Sequence, residues 1–153
     1  MRVLAYEVEG WGVGELYLQD ARLVYHELPA ARKPPAPLVS DDSLVESIRA
    51  FFAGRRVSFG AVELDLEWCT PFQRAVAEAL RGVSYGETVT YGELAALAGY
   101  PNAQRATGTF CAENRFPLVL PCHRVVSAAG IGSYGSLGVE YKRRLLALEG
   151  WAP

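Results

Sequence analysis

Residues 121–126 read Pro-Cys-His-Arg-Val-Val, placing a thiol, an imidazole and a guanidinium on consecutive positions behind a proline that fixes the backbone. A cysteine attacks as its thiolate, which needs a base, a cation or hydrogen-bond donors, and His123 and Arg124 are residues of those types. Neighbouring side chains diverge by roughly 100° on a helix and about 180° on a strand. Contact between Cys122 and His123 therefore requires a turn that folds them together, or a bridging water. An inert buried thiol beside a structural histidine satisfies the same spacing. A second candidate is Arg105: Ala103, Ala106, Thr107, Phe110 and Cys111 recur at helical spacing as a buried stripe, and Arg105 points away from it. Gly108, Thr109 and Ala112 share its outer face, so this guanidinium is either ordinarily solvated or stands where another molecule's backbone can approach closely. Beyond the motif, residues 125–139 carry no charge and hold Gly130, Gly132, Gly135 and Gly138 around Tyr134, the pattern of a mobile loop with one aromatic.

These residues need elements to position them. Val3–Val8, Gly14–Leu18 and Arg22–Leu28 predict an antiparallel meander, broken at Glu9-Gly10 and Gln19-Asp20. Four prolines between Pro29 and Pro37 predict an extended surface loop. Asp41 or Asp42 caps a helix with Leu44, Val45, Ile48, Phe51 and Phe52 on one stripe, ending before Gly54. Val62, Leu64 and Leu66 alternate with acidic residues as a half-buried strand. Thr70-Pro71 then opens a helix buried through Phe72, Ala75, Val76, Ala79 and Leu80. Thr90 and Glu93 form a capping box for a short helix that buries Leu94, Leu97 and Ala98 and stops at Gly99. A third helix is expected from Pro101, giving a helix-turn-helix form. The expected organisation is a strand-rich structural domain over 1–67, with its proline-rich loop at 29–37, and a second domain over 68–153.

Composition excludes several classes. The 153 residues carry 15 basic and 17 acidic side chains, a net charge of -2, so the chain does not coat nucleic acid by charge alone. Residues 1–68 hold 7 basic and 11 acidic side chains and residues 69–153 hold 8 and 6, which leaves the second part mildly basic. No apolar run is long enough to span a membrane, and Glu7 interrupts any signal-peptide core. A cytoplasmic protein is expected. Cys69, Cys111 and Cys122 are odd in number and lack paired spacing, and His26 and His123 are the only histidines, so neither a disulfide framework nor a structural zinc site is expected.

Pro121-Cys122-His123-Arg124-Val125-Val126, together with the run from Thr90-Tyr91-Gly92-Glu93 to Gly99 and with Arg105-Ala106-Thr107-Gly108, closely resembles the O6-alkylguanine-DNA alkyltransferases, also called methylated-DNA-protein-cysteine methyltransferases. The resemblance runs from about Pro71 to Gly150. It implies an α/β fold of the α+β kind: a small N-terminal antiparallel sheet with a covering helix, then a helical domain with a winged-helix-like helix-turn-helix motif. It implies that Cys122 irreversibly accepts an alkyl group from O6 of a guanine flipped out of double-stranded DNA. In that family the motif histidine activates the cysteine through a water and is held by a glutamate late in the last helix, matching His123 and Glu149. A glutamate there opposes the helix dipole, so helix preference does not account for Glu149.

The resemblance further makes Arg105 the finger that enters from the minor groove and fills the gap left by the extruded nucleotide, with Ala106, Gly108 and Ala112 small enough for close approach. Arg115 and Arg124 are expected as further DNA-facing cations. Tyr91 matches the tyrosine that crowds the target phosphate and donates a proton toward the departing base, and Asn114 the asparagine that ties the DNA-binding helix to the cysteine loop. Val125 (by its carbonyl), Tyr134 and Gly135 are implied to line the guanine pocket, Gly135 standing where a serine often occurs. Cys111 is expected in the apolar core beneath that pocket and is grouped with its substrate-binding residues, and Cys69 is expected to be structural. Neither metal nor cofactor is expected, and the protein is expected to act as a monomer. The alternative reading is a lesion-binding relative without transfer activity, in which the motif cysteine is replaced; Cys122 argues against it.

Overall fold

The structure, a computed structural model, describes residues 1–151; Ala152 and Pro153, the end of the expected second domain, lie outside the described residues. The fold is mixed α/β, and the chain divides into two compact units, Met1–Asp65 with Arg115–Pro117, and Leu66–Asn114 with Leu118–Pro153.

In the first unit, β1 (Arg2–Val8), β2 (Gly12–Gln19) and β3 (Arg22–Ala30) form an antiparallel sheet in the order β1-β2-β3. Asp42 is the cap that begins α1 (Ser43–Phe52), accepting from the amides of Leu44 and Val45, and Val45, Ile48, Phe51 and Phe52 are its buried stripe. Two expectations are corrected. β3 continues through Pro29 to Ala30, because the register shifts between the pairs Val13/Ala30 and Glu15/Glu27. Pro29 sits in that irregularity on an edge strand, where a missing N–H breaks no ladder. Residues 62–66 are not a strand: only Leu64 makes a bridge, to Leu23, with hydrogen bonds from Leu23 N to Glu63 O and from Asp65 N to Leu23 O.

In the second unit, α2 (Pro71–Arg81) starts at a capping box of Thr70 and Gln73 and buries Val76, Ala77 and Leu80. β4 (Val89–Thr90) leads directly into α3 (Tyr91–Leu97), capped by Thr90 and Glu93 as expected, and α4 (Gln104–Ala112) follows after a turn. α3 is shorter and rotated relative to expectation: Leu94 and Ala95 are buried, whereas Leu97 is 66% exposed. α4 begins three residues after Pro101, because Asn102 takes a left-handed φ of 73° that no helix accommodates. Its buried residues are Thr107 and Phe110; Cys111 and Ala103 are half-buried and Ala106 is exposed. β5 (Val125–Val126) pairs in parallel with β4, Val89 opposite Val125, and α5 (Val139–Leu148) is the last described helix. Among the described residues no helix is long and apolar enough to cross a membrane.

Candidate active site

The two-residue ladder of β4 and β5 is what assembles the site. It fixes Val125, just after the Cys-His-Arg turn, beside the strand that feeds Tyr91 at the start of α3. Residues 122–124 form a single 3-10 turn behind Pro121, and all three side chains are buried. The turn does not direct the histidine and arginine outward. His123 Nε2 lies 2.6 Å from Glu149 Oε2. Arg124 binds the same carboxylate through Nε, at 2.9 and 3.1 Å, and through Nη2 at 3.0 Å, while its Nη1 donates to the Val83 carbonyl at 2.8 Å. The Gly86 amide donates to Glu149 Oε1 at 2.8 Å, and Tyr85 donates to the neighbouring Leu148 carbonyl.

Glu149 is thus the C-terminal cap of α5 and a hub. Burial pushes its carboxyl up, but the hydrogen bonds from His123 and Arg124 and the nearby charges outweigh this and hold it at about 2. The His123 imidazole is pushed down by burial, against the carboxylate that raises it. A neutral ring beside an ionised carboxylate donates through Nε2–H, which leaves Nδ1 as its basic nitrogen. Arg124, expected to face DNA, is corrected to this interior role: it is 9% exposed and its guanidinium is engaged by Glu149 and Val83.

Cys122 is 6% exposed. Burial pushes its thiol up, opposed by hydrogen bonds with Asn114 and Tyr134 and by the charge of Lys142. The thiol is therefore protonated at rest, and a base must take its proton as it attacks. Tyr134 Oη is 3.8 Å from the sulfur, and its ring stacks on Tyr141 at 6.3 Å. Asn114, just beyond α4, donates through Nδ2 to the Leu120 carbonyl at 2.9 Å, which ties α4 to the cysteine turn. Tyr91 is half-buried, and burial raises its phenol. A Cβ built on Gly108 would be 3.7 Å from the Tyr91 ring, so Gly108 faces Tyr91 and does not share the free outer face. Gly135 has φ +53°, and a Cβ there would lie 3.5 Å from the Ala112 carbonyl. Arg105, Ala106, Thr109 and Ala112 are exposed on α4; Arg115 is exposed too, but in the segment that belongs to the first unit. Cys111 is half-buried and its thiol is raised by burial.

One site residue was not anticipated. Lys142, on α5, is fully buried, and its ammonium donates to the Val125 carbonyl at 2.6 Å and the Ser133 carbonyl at 3.1 Å. It lies 5.9 Å from the centre of the Tyr91 ring. Burial lowers its pKa. Its signal was present in the sequence: Lys142, Leu145, Leu146 and Glu149 occupy i, i+3, i+4 and i+7, so a lysine and a glutamate stand on an apolar stripe. Among the described residues no group of three or more His, Cys, Asp or Glu side chains is placed to hold a metal ion.

The class defined by this fold and site is a two-unit α/β protein with a helix-turn-helix and a buried cysteine whose neighbouring histidine is held by an arginine-paired glutamate. A family model described as the 6-O-methylguanine DNA methyltransferase DNA-binding domain matches residues 71–151, and the chain belongs to that family. A methylated-DNA--protein-cysteine methyltransferase of Mycolicibacterium paratuberculosis is 46% identical over 106 residues, which cover 69% of this chain but 62% of the relative. The chain therefore spans less than two thirds of that relative's length. One from Methanopyrus kandleri is 39% identical over 127 residues, covering 82% of this chain and 94% of that protein. The crystal structure of Mycobacterium tuberculosis OGT in complex with DNA superimposes with a TM-score of 0.80 at 34% identity, over 97% of this chain and 92% of that one.

Proposed function

We propose that this protein repairs DNA by flipping an O6-alkylguanine out of the duplex and transferring the alkyl group, once and irreversibly, to Cys122. The observation that carries this reading is the buried Cys122 turn with His123 fixed by Glu149 at 2.6 Å, in a chain of the methyltransferase family. His123 Nδ1 takes the thiol proton, directly or through one water, and the sulfur attacks the alkyl carbon. The S–C bond forms as the C–O6 bond breaks, and the electron pair leaves on the guanine. Tyr91 donates a proton to the departing base, and the proton held by His123 returns to the phenolate through solvent, so charge balances. Glu149 stabilises the imidazolium that forms during transfer, and Arg124 keeps Glu149 ionised. Lys142, through the Val125 and Ser133 carbonyls, holds two backbone points of the pocket in which Val125, Tyr134 and Gly135 meet the guanine.

Duplex DNA binds through the minor groove on α4. Arg105 fills the space of the extruded nucleotide, and the small, exposed Ala106 and Ala112 allow close approach, while Gly108 leaves room for the Tyr91 ring behind them; extrusion costs a few kcal/mol, least at a damaged pair. Arg115 adds a phosphate contact. The protein acts as a cytoplasmic monomer without metal or cofactor, its second unit carrying DNA binding and the acceptor thiol. The test is Cys122→Ser: methyl transfer from a duplex containing O6-methylguanine is abolished while its binding persists. Transfer that survives the substitution refutes the assignment, and loss of binding with it makes the cysteine turn structural.

A further inference from the structure

The first unit holds a buried polar pair that the proposed chemistry does not use. His26 on β3 is 2% exposed and Tyr6 on β1 is fully buried. Tyr6 Oη is 2.6 Å from His26 Nε2, and His26 Nδ1 is 2.9 Å from the Pro117 carbonyl. Burial, against the Pro117 hydrogen bond and helped by the charge of Arg32, brings the imidazole to about 4, so the ring is neutral at neutral pH. A carbonyl only accepts, so Nδ1 carries the hydrogen and Nε2 accepts from the tyrosine. The tyrosine is itself fixed, because a Cβ on Gly14 would stand 2.2 Å from its ring. The His26 amide donates to the Arg115 carbonyl at 2.9 Å.

Those contacts grip residues 115–117, a segment counted with the first unit. It is also the stretch of chain between Asn114, which holds the Leu120 carbonyl, and Leu118, from which the backbone runs to Cys122. Leu118 has φ +75°, a left-handed conformation that a leucine adopts only when its surroundings impose it. We propose that His26, backed by Tyr6, is a positioning residue for alkyl transfer: by clamping residues 115–117 it imposes the backbone path that sets the Cys122 turn. The clamp gives the strand-rich unit a part in the reaction, and this inference rests on Cys122 being the alkyl acceptor.

The experiment compares the full-length protein with His26→Leu, which removes the Pro117 donor, with His26→Asn, whose amide can supply a donor near the place of Nδ1, and with Tyr6→Phe. Two readouts are taken at pH 7.5: the rate of methyl transfer from O6-methylguanine in duplex DNA, and the labelling rates of Cys122 and Cys69 by iodoacetamide, read by peptide mass spectrometry. The clamp predicts that His26→Leu slows transfer at least tenfold while Cys122 labelling rises at least fivefold and Cys69 labelling is unchanged, and that His26→Asn restores transfer to within threefold of the parent. A general loss of stability would instead raise labelling of both cysteines together. Should His26→Leu unfold, Tyr6→Phe carries the test, with the same opposed changes expected at smaller size. Folded variants that transfer and label like the parent overturn the proposal. A parent protein that transfers no methyl refutes the function itself, whereas the labelling pattern still reports on the clamp.

Discussion

Arg124 separates two physical roles that a sequence motif cannot, and Arg124→Met is the perturbation that distinguishes them. In the structure three of its contacts to oxygen are with Glu149 and a further one is with the Val83 carbonyl, all between 2.8 and 3.1 Å. Methionine keeps much of the stem volume but deletes the charge. Among the described residues Glu149 then retains His123 and the Gly86 amide, and a buried carboxylate has lost its arginine partner. Breaking such a pair costs roughly 3–5 kcal/mol, and the Val83 carbonyl adds a lost hydrogen bond. For a domain of this size that corresponds to a fall in Tm of roughly 10 °C. Urea denaturation at pH 7 gives the free energy, and anisotropy titrations of a fluorescent duplex from 50 to 200 mM salt give the electrostatic slope. An arginine on a DNA phosphate would instead leave stability within about 0.5 kcal/mol and reduce the slope by about 0.9. A variant with parental stability and a shallower salt slope refutes the interior role.

Three further outcomes follow from the same geometry. His26 is held at about 4 against an ordinary 6.5, and Glu149 at about 2 against 4.5. In both cases the unfolded chain binds more protons, so stability should fall as pH drops from 6.5 toward 4 through His26, and again from 4.5 toward 2 through Glu149. The full shifts correspond to about 3 kcal/mol each; denaturation midpoints that stay flat between pH 6.5 and 4 would contradict the first. Thr107 is fully buried, and among the described residues its hydroxyl has no hydrogen-bond partner. Thr107→Val should therefore raise stability by about 1 kcal/mol, seen as a calorimetric Tm higher by roughly 2–4 °C, and a lower Tm would show the hydroxyl to be satisfied. Arg105→Ala should slow transfer from duplex DNA at least tenfold more than transfer from the free O6-methylguanine base, since only the duplex needs its gap filled; equal losses on both substrates would remove the finger assignment.

What the sequence revealed depended on how local the cause was. Caps are set by residues within one turn, and Asp42, Thr70 before Pro71, and Thr90 with Glu93 each begin a helix where the spacing implies it. Cys122 and His123 stand together in one compact motif, whereas Glu149 enters only through the family resemblance; the structure brings His123 and Glu149 together across 26 positions. Orientation was the harder quantity. Arg124 reads as a surface cation until Glu149 and the Val83 carbonyl are seen around it, and Lys142 becomes a site residue only once the Val125 and Ser133 carbonyls converge on it. Periodicity points Leu97 inward, but α3 ends there and the side chain is 66% exposed. The segment around Leu64 alternates like a strand, yet a ladder needs a partner in register, and only Leu23 provides one. Each of these errors concerns contacts distant in sequence, where local propensity is a weak guide.

The central claim, that Cys122 is a single-use alkyl acceptor, is tested most directly by incubating the protein with a duplex carrying one O6-methylguanine and analysing both by intact and peptide mass spectrometry. One methyl per protein on the Cys122 peptide, with an equal loss from the DNA, is the predicted result. Repeated removal by unmodified protein, a bound lesion left intact, or a methyl on Cys69 or Cys111 would contradict it.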